Sequence, residues 1–342
     1  MKLMPARSTT GRLLAPLLAA VVLASGCQPA PTNTATTETP KPAASEDPGR
    51  PVKLAFVTNN TSEFWKIASN GVHKYEAEAK VQVDIKMPAN GKTEEQNQIL
   101  ENLVSQGYDA IAVSVIAPKD QTALLDRTAA KTRLITFDSD AAASKRLLYV
   151  GTINYEAGKK LGERIVELLP KGGKMAVFVG FFSADNATQR LKGIEDAIAG
   201  HHIEIVEKRE DQTDRAKARS NVEDILNARP DVTLVCGLWS YNGPAIAAAI
   251  EGGNKRGKVQ AAVFDEEDGT LKAIQAGTIA ATVVQHPYEM GYRSAKWAHL
   301  LATDFEKART TIPADGIENT GVEIIDQKSL KDFETRLAEW KK

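Results

Sequence analysis

Cysteine is nearly absent from this chain of 342 residues, in which only Cys27 and Cys236 occur. Two cysteines cannot build a disulfide framework or a four-cysteine zinc site. A surplus of either charge is also missing, because 43 basic residues face 44 acidic ones. The chain therefore lacks the basic field that gathers nucleic-acid phosphates, and we expect no nucleic-acid partner. Hydrophobic residues make up 42%, which excludes a mainly disordered or multi-span membrane protein. The length favours two domains.

The first 26 residues have the pattern of a lipoprotein signal peptide. Three basic residues precede an apolar run at 13–24, which ends in Ser25-Gly26-Cys27. The run is too short to span a bilayer as a helix. Small residues before a cysteine are typical of signals in which the thiol is acylated and the chain is cut before that cysteine. We expect lipidation of Cys27 and anchoring to a membrane. Ordinary secretion, with cleavage near 24–26, is the alternative.

Residues 27–50 predict a disordered tether, because they are rich in Pro, Thr and Ala and have no apolar period. The domain beyond the tether is then expected in the periplasm or at the cell surface. Cys236 ends the apolar run 232–236, so we expect it to be a small buried hydrophobic residue.

From Pro51 onward, short β-branched runs alternate with longer stretches of helical period, which is typical of βαβ units and parallel sheets. The pattern predicts an α/β fold of two doubly wound lobes. The strands are expected at 52–58, 81–87, 110–115, 133–137, 147–151, 174–180, 203–208, 233–237, 259–264 and 279–284; the clearest helices at 63–79, 93–106, 154–169, 187–199, 214–228 and 287–303.

Polar and aromatic side chains follow the predicted strands, at the edge where open parallel sheets bind ligands. They include Thr58 to Trp65, Asp138, Asn186 with Arg190, Trp239, Asp265 and Gln285. Such a set suits a sugar, whose hydroxyls need donors and acceptors and whose C–H faces pack on aromatic rings. Each residue also has a plainer reading: either aspartate could cap a turn, Phe64 or Trp65 could anchor the first helix in the core, Arg190 could be solvated, and Gln285 could end a strand.

Five stretches in this order resemble the periplasmic sugar-binding proteins of the ribose-binding type, also called periplasmic binding protein type 1, and more distantly the sensor domain of LacI-type repressors. They are LAFVTNNTSEFWKIASNG at 54–71, LITFDSD at 134–140, NATQRLKGIEDAI at 186–198, VFDEEDGTLKAIQAG at 263–277 and IAATVVQHPYEMG at 279–291. The resemblance implies two lobes joined by three crossovers, near 152–156, 285–288 and 313–318. The N-terminal lobe is then 51–153 with 287–314, and the C-terminal lobe is 154–286 with 315–342.

The resemblance also implies sugar contacts. They fall on Thr58, Ser62, Phe64, Trp65 and Asp138 in the first lobe, and on Arg190 or its neighbour Asn186, Trp239, Asp265 and Gln285 in the second. Two arginines of the ribose-binding pattern are absent, because Ser139 and Thr188 stand in their places. We therefore expect a sugar or polyol other than ribose.

The implied function is that of the substrate-binding lipoprotein of an ABC importer, which captures its ligand by hinge closure and delivers it to the permease. We expect a monomer that is not an enzyme and uses no cofactor and no metal. The sequence contains no G-x-S-x-G elbow and no H-E-x-x-H motif. A sensory binding protein that feeds a chemoreceptor or sensor kinase, with a nucleoside or autoinducer as ligand, remains the alternative.

Overall fold

The structure, a computed structural model, describes residues 50–342, all within the compact unit Pro40–Lys342. The predicted signal peptide, Cys27 and all of the predicted tether except its last residue lie outside the described residues. The first of two lobes is built on a six-stranded sheet in which every paired strand is parallel, in the order β11-β5-β4-β3-β1-β2. Its strands are β1 (Leu54–Val57), β2 (Val83–Lys86), β3 (Ala110–Val113), β4 (Arg133–Phe137), β5 (Tyr149–Gly151) and β11 (Ile317–Asn319).

Five helices belong to this lobe: α1 (Glu63–Ala79), α2 (Thr93–Ser105), α3 (Pro118–Ala129), α9 (Pro287–Thr303) and α10 (Phe305–Thr310). They cover both faces of the sheet, so β1, β3, β4 and β5 are buried along their whole length. Helices α1 and α9 cross closely because glycines meet backbone there: a side chain at Gly71 would overlap the carbonyl of Tyr288, and one at Gly291 that of Ala68.

The second lobe repeats this plan with the order β12-β10-β9-β8-β6-β7, in which only β12 runs antiparallel to its neighbour. Its strands are β6 (Gly173–Val179), β7 (Ile203–Glu210), β8 (Val232–Gly237), β9 (Gln260–Phe264), β10 (Ala281–Val284) and β12 (Glu323–Ile325); its helices are α4 (Asn154–Leu168), α5 (Asp185–Ile198), α6 (Arg215–Ala228), α7 (Asn242–Gly252), α8 (Asp268–Gln275) and α11 (Leu330–Trp340). Cys236 is a free, buried residue of β8, and burial raises the pKa of its thiol to about 12.

The chain passes between the lobes three times, at 152–153, 285–286 and 320–322. The third crossing comes later than the expected 313–318, so the boundary expected after residue 314 needs correction. Residues 317–319 pair with β5 of the first sheet, where Tyr149 N donates to Gly316 O and Thr320 N to Gly151 O, both at 2.9 Å. These bonds satisfy the open edge of β5, which is why the segment stays with the first lobe.

Three further contacts join the lobes beside the crossings. Ile67 of α1 is 2% exposed and belongs to the core cluster of the second lobe. The end of α11 lies on α1, where Asn70 Nδ2 donates to Trp340 O at 2.8 Å. Trp340 also stacks on Tyr288 at the start of α9, with 6.1 Å between ring centroids. The two lobes therefore meet through packed side chains as well as through connecting chain.

Candidate ligand-binding cleft

Asp138 is placed by the end of β4, and a chain of hydrogen bonds across the first sheet holds it. Its backbone adopts φ 56°, an unusual conformation for a residue other than glycine. Ser114 Oγ donates to Asp138 Oδ2 at 3.0 Å and accepts from Asn59 Nδ2 at 3.0 Å. Asn59 Oδ1 in turn accepts from Trp65 Nε1 at 2.9 Å. Because β1, β3 and β4 are in register, their carboxyl ends bring Asn59, Ser114 and Asp138 together. Trp65 reaches this group from α1.

The other site residues predicted in the first lobe have mixed positions. Trp65 is 2% exposed and packs edge-on against Phe137, so its indole ring is part of the core. Thr58 is fully buried, and its hydroxyl donates to Asn60 O at 2.8 Å within the same loop. Ser62 is exposed and Phe64 is half-buried; both line a cavity between the lobes. Ser62 and Phe64 are therefore the residues of this group that face open space.

Arg190 is a buried cation of the second lobe, 3% exposed, on α5. Its Nε donates to Asn154 Oδ1 at 2.9 Å and its Nη1 donates to Leu238 O at 2.7 Å. The guanidinium lies 4.3 Å from the ring centroid of Phe264. Helices α4 and α5 approach closely because Gly158 meets the backbone of Arg190, where a side chain would overlap it. This crossing brings Arg190 within reach of Asn154.

Asp265 and Gln285 form the other polar pair of the second lobe. Asp265 follows β9 with φ 66° and is 8% exposed. Its backbone N donates to Val283 O at 2.7 Å, and its Oδ1 accepts from Gln285 Nε2 at 2.9 Å. Parallel pairing of β9 with β10 thus places the residues that follow the two strands side by side, as the sequence pattern predicts.

The charges of the two lobes act on one another. Burial lowers the pKa of Arg190, while Asp265 and Asp138 both favour its charged form. Burial raises the pKa of Asp138 to about 6; the Ser114 hydrogen bond and Arg190 oppose this rise, and Asp265 adds to it. Burial likewise raises the pKa of Asp265, against the opposing effects of Arg190 and Gln285. The guanidinium of Arg190 therefore favours the charged form of one carboxylate from each lobe.

Trp239 provides an aromatic surface at the same edge of the second sheet. Its ring covers Gly180, because a side chain at that glycine would overlap the indole. Trp239 Nε1 donates to Asn186 Oδ1 at 3.1 Å. The rings of Phe181 and Tyr241 flank it with centroids 6.4 and 6.3 Å away. Phe181 is 39% exposed, so the cluster reaches solvent. Asn186, an alternative to Arg190 in the sequence prediction, supports the indole.

A cavity of about 720 Å³ lies between the lobes, within the usual size range of small-molecule sites. The first lobe contributes Ser62, Glu63, Phe64 and Ile67; the second contributes Arg215, Ser240, Pro244, Asp265 to Gly269, and Lys341. Asp265 lines this cavity and accepts from Gln285, whereas Asp138, Arg190 and Gln285 do not line it. At its rim, Arg215 pairs with both carboxylate oxygens of Glu267, at 2.8 and 3.0 Å. The cavity has walls from both lobes and an interior with fixed charges.

Sequence reasoning assigned no ligand contact to four residues that hold this arrangement together. Asn59 lies in the stretch after β1 that the sequence pattern singled out, but it was not among the expected sugar contacts. Ser114 directly follows β3, whereas the sequence pattern placed it inside the predicted strand 110–115. Tyr149, whose hydroxyl donates to Asp138 O at 2.9 Å, was hidden in a predicted strand. Asn154 stands at a crossing, and its contact with Arg190 arises only from helix packing.

Residues 50–342 contain no group of three or more His, Cys, Asp and Glu side chains arranged to hold a metal ion. Nor does a helix in that range combine the length and apolar composition needed to cross a membrane. The polar groups of the cleft are thus carboxylates, amides, hydroxyls and one buried guanidinium, which can form hydrogen bonds with a neutral polar molecule.

The fold and this cleft define a two-lobed binding protein, and residues 54–307 match the family model of the periplasmic binding protein domain. The chain belongs to this family, whose members work in the periplasm or outside the cell. The ribose import binding protein RbsB of Bacillus subtilis is 27% identical over 240 residues, which cover 69% of this chain and 76% of that protein. The D-allose-binding periplasmic protein of Escherichia coli is 25% identical over 75% of this chain and 84% of its own length.

A solved structure shows the same architecture. An ABC transporter solute-binding protein from Burkholderia graminis, in complex with D-arabinose, superimposes with a TM-score of 0.75 and 28% identity, covering 82% of this chain and 96% of that one. The α/β fold of two doubly wound lobes predicted from the sequence is confirmed.

Proposed function

We propose that this chain is the substrate-binding component of an ABC importer and that it captures a sugar or polyol between its lobes. The observation that carries the proposal is that charged groups of both lobes lie near enough to influence one another: Asp138 from the first lobe, and Arg190 with Asp265 from the second. Carboxylates and guanidinium groups can each bind two neighbouring hydroxyls, and charge-assisted hydrogen bonds are the stronger kind. The relatives named for ribose and allose support a carbohydrate ligand.

Capture works through the hinge of three crossings. A ligand that contacts both lobes favours the closed form by its difference in affinity for the closed and open states. The polar groups available are Asp138 and Asn59 from the first lobe, and Arg190, Asp265 and Gln285 from the second. Phe64 and Trp239 offer ring surfaces for C–H faces. No bond of the ligand is made or broken, so the proposed activity is binding and not catalysis.

Delivery requires that the protein stay near the permease. Two acyl chains on Cys27 would hold it at the membrane, since dual lipidation anchors stably where one chain is marginal. Residues 27–50 would then act as a tether for a monomeric binding domain. Loss of membrane association in Cys27→Ser, measured by fractionation of cells, tests the anchor. Equal membrane association of the wild type and Cys27→Ser would contradict the proposed anchor.

A binding titration tests the ligand class. The purified chain should bind at least one member of a panel of pentoses, hexoses and polyols, followed by tryptophan fluorescence and calorimetry. Asp265→Ala should weaken that binding by about 2 to 5 kcal/mol, because it removes a buried charged partner. Asp326→Ala, which alters a carboxylate of the same lobe at the turn before α11, should leave affinity unchanged. Binding of nucleosides alone, or unchanged affinity in Asp265→Ala, would overturn the proposal.

A further inference from the structure

Asp211 is a buried carboxylate at the carboxyl edge of the second sheet, and the cleft described above does not use it. It directly follows β7 and is 1% exposed. Its backbone N donates to Val179 O at 3.0 Å, which continues the pairing of β6 with β7 past the strand ends. Burying an ionised carboxylate is unfavourable unless hydrogen bonds compensate it. The partners of Asp211 therefore show what its burial stabilises.

Three donors satisfy this carboxylate, and two of them come from a single turn. Asn242 Nδ2 donates to Asp211 Oδ2 at 3.1 Å, and the Tyr241 hydroxyl donates to Oδ1. The third is Thr213 N, at 2.9 Å from Oδ1. Arg215, the first residue of α6, has its guanidinium 5.5 Å from the ring centroid of Tyr241. Asp211 thus ties the end of β7 to the turn that follows β8.

That turn carries Trp239, and both partners of Asp211 act on it. Asn242 Oδ1 accepts from Trp239 N at 3.0 Å, and Asn242 N donates to Trp239 O at 3.0 Å. The Tyr241 ring meets the indole edge-on, with 6.3 Å between centroids. Fixing the amide of Asn242 sets the backbone of Trp239, and fixing the hydroxyl of Tyr241 sets the position of its ring beside the indole.

We propose that Asp211 is a positioning residue which, through Tyr241 and Asn242, fixes the orientation of the Trp239 ring and thereby influences which ligands the cleft prefers. The effect on ligand preference rests on the proposed function, whereas the effect on the ring does not. Asp211 acts through its two partners and contacts no ligand itself. Replacing it with Asn places an amide donor opposite the donors of Tyr241, Asn242 and Thr213, so the network loses acceptors without losing volume.

The first experiment measures the Trp239 ring alone. Acrylamide quenching is compared between each protein and its Trp239→Phe counterpart, which isolates Trp239 from the other three tryptophans. Asp211→Asn should increase quenching of the Trp239 signal, and the increase should vanish in the Trp239→Phe background. The matched control is Asp326→Asn, which alters another carboxylate that accepts two backbone N–H groups in the same lobe; it should change neither signal. An unchanged Trp239 signal in a folded Asp211→Asn protein would overturn the proposal.

The second experiment measures ligand preference. D-Ribose, D-allose, D-arabinose and D-xylose are titrated into wild type, Asp211→Asn and Asp326→Asn. Asp211→Asn should weaken binding about 3- to 10-fold, the range expected when a side chain must be ordered on binding, and should do so unequally between sugars. A loss common to all sugars, with an unchanged ratio, indicates a structural role only and contradicts the effect on preference. If wild type binds none of the sugars, the proposed function fails while the quenching test still decides the role of Asp211.

Should Asp211→Asn fail to fold, Tyr241→Phe removes one hydrogen bond and keeps the carboxylate. It should produce a smaller increase in Trp239 quenching, in the same direction. No increase in this variant would count against the proposal as well.

Discussion

The two lobes bring unlike electrostatics to the cleft. The second lobe carries a cation that its own residues hold in place, because Arg190 bonds to Asn154 and to Leu238 O. The first lobe offers a carboxylate whose hydrogen-bonding side chains are neutral: Ser114 donates to Asp138, and the nearby Arg146 pairs with Asp140 at 2.7 Å. Among the described residues, the positive charge that favours ionised Asp138 is that of Arg190, which lies across the cleft. The second lobe is therefore preformed, whereas the first depends on its partner.

This difference has a consequence for hinge motion. Opening would separate Asp138 from Arg190 and expose the carboxylate to water, which stabilises its charge by other means. Arg190 would keep Asp265 as its partner. Opening of the hinge therefore changes the electrostatic environment of Asp138 more than that of Arg190. The variants below test this difference between the lobes.

The largest effect is expected at Arg190. Arg190→Met removes the buried cation and leaves Asp138 and Asp265 without a nearby positive charge, which should lower the free energy of unfolding by about 3 to 5 kcal/mol. Urea denaturation measures this. Arg336→Met, whose cation pairs with Glu323 on a more exposed surface, is the control and should cost far less. Equal losses in the two variants would show that Arg190 has no special role between the lobes.

Asp138 should give the protein a specific pH dependence. Its folded pKa of about 6 lies above the ordinary 3.8, so the folded state binds more protons than the unfolded state between these values. The contribution of Asp138 to the free energy of unfolding should therefore fall as the pH rises from about 4 to 6, by on the order of 2 to 3 kcal/mol. Denaturation curves of wild type and Asp138→Asn across this range isolate the effect. Parallel curves for the two proteins would contradict it.

Two glycine variants distinguish the effect of helix packing on stability from the effect of Arg190 on the pKa of Asp138. Gly158→Ala and Gly71→Ala both force a side chain into backbone, at the α4–α5 and α1–α9 crossings respectively, and each should cost about 1 to 3 kcal/mol. Only Gly158→Ala displaces Arg190, so only this variant should change the pH dependence attributed to Asp138. If Gly71→Ala alters that dependence equally, the coupling does not run through Arg190.

The smallest effect is expected at the rim of the cavity. Arg215→Met breaks the pair with Glu267, whose side chains are 64% and 31% exposed. Exposed pairs contribute about 0 to 1 kcal/mol, so thermal unfolding should hardly change, and the difference should shrink further in high salt. A loss that approaches that of Arg190→Met would erase the distinction between buried and rim charges.

Much of the fold could be predicted because the burial of strands and helices imposes a regular spacing of hydrophobic residues on the sequence. The ten predicted strands correspond to β1 through β10, and helix α1 matches its predicted range. Helices α3, α7, α8, α10 and α11 were not among the clearest predicted helices; α7 is apolar on most sides and so lacks an amphipathic period. Strands β11 and β12 have three residues each, too few for any pattern, and this is why the third crossing was placed too early.

The residues of the candidate cleft likewise fall into those that the sequence could predict and those that it could not. The sequence by itself determined which polar residues stand at strand ends, because parallel strands must present their carboxyl ends on one edge; Asp138, Asp265 and Gln285 follow from this. Only the tertiary structure decided that Trp65 packs in the core, that Asn154 accepts from Arg190 and that Arg190 lies near enough to carboxylates of both lobes to favour their charged forms. Such contacts join residues far apart in the chain, and their distances depend on how helices and lobes pack, which no local pattern encodes.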